Sequence, residues 1–116
     1  MKSYFKEKFN IAMYISSQDG IISEREFSEI KALLRLHVDC SEEEFDELTE
    51  EYFTSEKTLE NYLSDFQGNL SESILGLRIA VKAAAADGLN IKENLSYLKA
   101  LDILGLKNQD IVGDSK

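Results

Sequence analysis

Residues 72–93 read ESILGLRIAVKAAAADGLNIKE, and the reading of this stretch decides the fold. Ile74, Leu75, Leu77, Ile79, Ala80 and Val81, followed by four consecutive alanines, are apolar on nearly every side of a helix. A helix over 72–86 is therefore expected to form the buried centre of a bundle. Asp87 and Gly88 end it. Asn90 with Glu93 three residues on has the form of a capping box, in which each side chain takes the other residue's backbone N–H and a new helix starts. Arg78 and Lys82, one turn apart on one stripe, repel each other unless an acidic surface faces them.

Outward from this centre the pattern stays helical, because no proline and only six glycines interrupt the chain. Phe5, Phe9, Ala12, Met13 and Ser16 recur at intervals of three or four and predict a helix over 3–17, closed by Asp19 and Gly20. Ser23 with Glu26 caps a second helix, whose stripe is Phe27, Ile30, Leu33, Leu34 and then His37 or Val38. Ser41 with Glu44 caps a third, with Phe45, Leu48 and Tyr52 inward and glutamates in the first turn, where the helix dipole favours them. A shorter helix over 55–67 carries Leu59, Tyr62, Leu63 and Phe66 and stops at Gly68 and Asn69, a natural left-handed pair, after which Ser71 caps the central helix. The sixth helix turns Ile91, Leu95, Leu98, Leu101 and Leu104 or Ile103 inward and closes at Gly105. Residues 106–116 hold one turn around Ile111 and then fray. The fold expected is an all-α helical bundle of six to seven helices in a single domain spanning 1–116.

With 116 residues, 13.2 kDa and 43% hydrophobic side chains, the chain suffices for one globular core. Cys40 is the sole cysteine, so neither an internal disulfide nor a two-cysteine redox or zinc site forms within one chain, and a reducing cytoplasm suits it. The longest run without a charge, residues 9–18, has ten residues, half of the roughly 20 a membrane-spanning helix needs. Lys2, Lys6 and Lys8 precede it as in a secretion signal, but Glu7 and Asn10 interrupt the pattern and no small-x-small cleavage site follows.

The formal net charge is −9, and residues 42–65 hold ten of the 22 acids against Lys57 as the only base. Such a block repels phosphate backbones, which excludes nucleic acid as a partner. It reads first as a solvated helix face that favours solubility. Its second reading is a docking surface for a protein partner, with Glu43, Glu47 and Glu50 as candidate contacts.

An internal repeat links the two ends of the chain. Residues 12–26 read AMYISSQDGIISERE and residues 80–93 read AVKAAAADGLNIKE, each a helix, Asp-Gly, a capping box and a second helix. The offset is 68 at Asp19 and Asp87 and 67 at Glu26 and Glu93. Two similar hairpins suggest an approximate twofold that brings the loops into comparable positions.

Asp19, Gly20, Ile22 and Glu26 in the first copy, and Ala85, Ala86, Asp87, Gly88 and Glu93 with the closing Leu104, Gly105 and Leu106 in the second, resemble the TerB-like family. That family comprises tellurite-resistance TerB domains and the front domains of DjlA-type J-protein co-chaperones. Gln18 stands where the family often has alanine, and the shorter second loop displaces Glu93 by one position. The resemblance implies a small all-helical, non-enzymatic domain linked to stress response and tellurite resistance, with a metal site at the acidic loop positions or a protein partner docked without metal.

Chemically, the two loops offer Asp19, Glu26, Asp87 and Glu93 as a candidate oxygen-ligand set for a divalent cation, with magnesium, calcium or manganese fitting better than zinc. Gly20 and Glu26 match the spacing of an EF-hand loop, but Ile15 and Ser17 occupy its leading ligand positions, so one loop alone would bind weakly. Turn and capping chemistry alone also accounts for each of these residues. No phosphate-cradling glycine loop and no Gly-x-Ser-x-Gly elbow occurs in the chain. His37, the single histidine, reads as a packed or capping side chain, and Cys40 as a small buried hydrophobe.

Overall fold

The computed structural model describes residues 4–18, 20, 22–36, 39–88 and 90–112. They form α1 (Phe5–Ser16), α2 (Glu24–Arg35), α3 (Glu42–Thr54), α4 (Leu59–Ser64), α5 (Leu70–Ala84), α6 (Ile91–Leu104) and α7 (Asn108–Val112), with a 3-10 turn at Ala85–Asp87 and no strand among the described residues. This is the all-α architecture expected, with its buried side chains in one cluster.

The apolar helix α5 is the centre. Leu77, Ile79, Ala80, Ala83 and Ala84 are buried, and α5 packs on α1, α2, α6 and α7. Its closest companion is α1, whose Phe9, Ile11, Ala12, Met13 and Ile15 are all buried. The helices meet at Gly76, where an added Cβ would stand 3.1 Å from Ile11 Cγ2 and 3.5 Å from Lys8 Cγ. The Lys8 Nζ then reaches Glu72 at 2.5 Å. Helical side chains lean toward their own N-terminus, so an ion pair one turn before Gly76 has α1 and α5 advancing in the same sense. Both helices therefore finish at one end of the molecule, and there α2 packs against the Ala85–Asp87 turn.

Four expectations need correction. The central helix starts at Leu70 with Asn69, not Ser71, as its N-cap: the Asn69 side chain accepts the Glu72 N–H at 3.2 Å. An N-cap is extended, so Asn69 cannot also be left-handed, and the left-handed pair shifts to Gln67 (φ 54) and Gly68 (φ 80). The short helix starts at Leu59, not residue 55, because α3 continues through Thr54 and a Thr58–Asn61 capping box sets the new start.

The third correction concerns α6. Glu93, Tyr97, Ala100 and Leu101 are buried, whereas Ile91 is 78%, Leu95 59% and Leu98 46% exposed. Ala100 presents no bulk to its neighbours, and the Tyr97 hydroxyl reaches Asn108 Oδ1 at 2.5 Å, so this face turns inward and most of the leucine stripe outward. The fourth is Arg78: its Nε donates to the Ile111 carbonyl at 2.5 Å, and among the described residues no carboxylate pairs with it. The turn expected around Ile111 is α7, and Ile111 is 1% exposed.

Candidate functional site

The two hairpin elbows share one construction. In the first, the Gly20 N–H donates to the Ser17 carbonyl at 2.9 Å, and in the second the Gly88 N–H donates to the Ala85 carbonyl at 3.0 Å. Both glycines have positive φ, +101° and +86°, with open space where a Cβ would stand, so backbone conformation selects glycine here. Beyond each elbow lies a complete capping box. The Ser23 N–H donates to Glu26 Oε1 and the Glu26 N–H to Ser23 Oγ, both at 3.0 Å. The Asn90 N–H donates to Glu93 Oε1 at 3.2 Å and the Glu93 N–H to Asn90 Oδ1 at 2.8 Å. The repeat read from the sequence thus recurs bond for bond.

Glu26 is 3% and Glu93 0% exposed. A desolvated carboxylate is tolerated when hydrogen-bonded, and a helix N-terminus adds a favourable dipole. Each glutamate is thereby engaged in starting its own helix. Of the other two residues of the candidate cation set, Asp19 lies outside the described residues, and Asp87 is described only as the backbone that closes the 3-10 turn. Among the described residues no group of three or more His, Cys, Asp and Glu side chains stands where it could hold a metal ion. His37 also lies outside the described residues.

The acidic helix builds a different feature. Between the start of α1 and the length of α3 runs an open groove of about 820 Å³. Phe5, Leu48 and Cys40 supply its apolar surface, and Glu7, Glu44, Glu47, Glu50 and Glu51 line it with carboxylates. Cys40 is buried, as expected of a small hydrophobe. Of the candidate docking residues Glu47 and Glu50 line the groove; Glu43 does not, although it too is exposed. The sequence reading missed Glu7, Glu44, Glu51 and the floor. The available signal was the spacing of Glu44, Glu47, Leu48 and Glu51, which places them on one face of α3.

The groove is fixed from below by Phe45, 0% exposed, whose ring lies 5.9 Å from Phe5 and 6.1 Å from Phe9. Lys6 pairs with Glu51 at 2.9 Å across the rim. Among the described residues no hydrogen bond or ion pair engages the carboxylates of Glu47 and Glu50. At the start of α3, Lys31 and Arg35 both reach Glu42, at 2.9 and 2.7 Å, and their hydrogen bonds, Lys31's first, hold its carboxyl below the usual range. These basic residues of α2 are thus engaged with Glu42, which is not among the groove's lining residues.

Among the described residues no helix is long and apolar enough to cross a membrane. Compared with protein-family models, curated proteins and solved structures, the chain matches none.

Proposed function

We propose that this chain is a non-enzymatic binding domain that docks a protein partner in the groove between α1 and α3 without a metal. The observation that carries the proposal is the groove itself: a concave surface with an apolar floor, lined by glutamates of α1 and α3. Recognition sites for macromolecules combine a desolvated apolar centre with a polar rim, and this surface has both parts. The engagement of Glu26 and Glu93 in capping supports metal independence, since each carboxylate has a structural role in its own helix. The duplicated elbows support the TerB-like organisation read from the sequence.

A second reading, a divalent cation held between the elbows, is favoured by one observation. α1 and α5 end together, α2 packs on the Ala85–Asp87 turn, and each hairpin carries a buried glutamate near this end. Thermal melts in EDTA and then in calcium, magnesium, manganese or zinc separate the two. An ion at a hundred times its dissociation constant stabilises by about 2.7 kcal/mol, and we expect no ion to do so. A shift of that size that disappears in Asp19→Asn and Asp87→Asn would transfer the function to the elbows.

A further inference from the structure

We infer that the occupant of the groove is a lysine- or arginine-rich amphipathic helix of a partner protein, laid along α3 with its apolar face on Phe5 and Leu48. The inference rests on the docking reading above and adds the chemistry of the partner. Among the described residues five glutamates and one lysine line the groove, and that lysine, Lys6, is already paired with Glu51. Among the described residues the charge left uncompensated is negative, concentrated at Glu47 and Glu50, and matches a row of bases on the incoming segment.

The groove's dimensions favour a helix. Its lining residues on α3 run from Glu44 to Thr54, ten helical steps, or about 15 Å at 1.5 Å per residue. A segment of about three helical turns covers that length, and such segments bind grooves through apolar anchors spaced i, i+3 or i+4, and i+7. Leu48 stands at the middle of the α3 lining beside Glu47, with Glu44 one turn before it and Glu51 one turn after. An apolar residue over Leu48 thus brings its flanking bases within reach of Glu47 and Glu50. A simple polycation would satisfy the charge but leave the floor of Phe5 and Leu48 open to water, and an acidic or neutral helix would leave buried carboxylates without cations.

The test is a titration of the full chain, in EDTA, with a synthetic peptide of about twelve residues that carries leucines at i, i+3, i+4 and i+7 and lysines elsewhere. Two controls are a scrambled isomer of equal charge without the leucine stripe, and a counterpart with glutamate for lysine. We expect saturable one-to-one binding of the striped peptide and none of the acidic one. Affinity should fall at least about tenfold when salt rises from about 50 to about 300 mM, because rim charges are screened. It should also fall at least about tenfold in the Glu47→Lys, Glu50→Lys double variant, which keeps its fold because both side chains are exposed. Three results would each overturn the inference: absence of binding, equal affinity for the scrambled isomer, or undiminished affinity of the double variant. Self-association of the chain that blocks the peptide would assign the groove to a second copy and overturn it likewise. The cation melts run on the same sample keep the failures apart: a peptide that does not bind removes the partner's chemistry, while an elbow-dependent cation shift removes the metal-free docking reading itself.

Discussion

Gly76 faces Ile11 so closely that a methyl group on the glycine would stand 3.1 Å from Ile11 Cγ2, and 3.1 Å from Phe66 Cζ on its other side. Ile11 and Phe66 are both 0% exposed, so neither has free space to retreat into. Replacing a mid-helix glycine by alanine ordinarily gains up to about 1 kcal/mol of helix propensity. Here overpacking, typically about 1–3 kcal/mol, opposes that gain. Gly76→Ala is expected to destabilise the chain, read as a lower denaturant midpoint with an unchanged slope; a raised midpoint would contradict the close packing of α1 on α5.

Capping and ion binding make different demands on the two buried glutamates. Glutamine serves in a capping box almost as well as glutamate, whereas alanine removes the bond to the N-cap N–H. Glu26→Gln and Glu93→Gln should therefore each lose less stability than the corresponding alanine variant, which should lose about 1–2 kcal/mol. Urea unfolding of the four variants decides the matter. Glutamine variants as damaged as the alanine ones would show that the negative charge, not the hydrogen bond, is what each position requires.

Tyr52 gives the fold an alkaline limit. Burial pushes its phenol up to about 12, with a smaller rise from Tyr62 and Tyr14, while the Ser17 hydrogen bond acts in the opposite direction. A phenol whose folded pKa lies above its unfolded value of about 10 leaves stability unchanged below pH 10, because both states then hold the proton. Between pH 10 and 12 the unfolded chain releases the proton first, so stability falls, by at most about 2 kcal/mol over the window because the ring is only partly shielded from solvent. Tyr52→Phe should remove most of that fall while losing the 3.1 Å contact with Ser17 at neutral pH. Unfolding free energies measured every half unit from pH 8 to 12 test this; equal alkaline slopes in the two proteins would contradict it.

The parts of this molecule legible in the sequence are those whose chemistry is local. Ser23 with Glu26, Ser41 with Glu44 and Asn90 with Glu93 form their bonds within one turn, so three residues suffice to specify each helix start. The repeated elbows were legible for the same reason. The inward face of α6 was not: Ile91, Leu95 and Leu98 fit helical periodicity as well as Tyr97, Leu101 and Leu104 do, and the burial of Glu93 and the Tyr97–Asn108 bond decide between them. The groove was only half legible. Glu47 and Glu50 could be nominated from α3 alone, but Phe5 and Glu7 join them from the far end of the chain through packing on Phe45.

The most direct measurement is an amide chemical-shift map of the isotope-labelled chain during the titration with the leucine-striped lysine peptide in EDTA. The docking account expects the largest changes at Lys6, Glu7, Glu47, Leu48 and Glu51, with Gly20 and Gly88 unmoved. Changes centred instead on Gly20, Gly88 and the first turns of α2 and α6 would contradict it and place binding at the paired elbows.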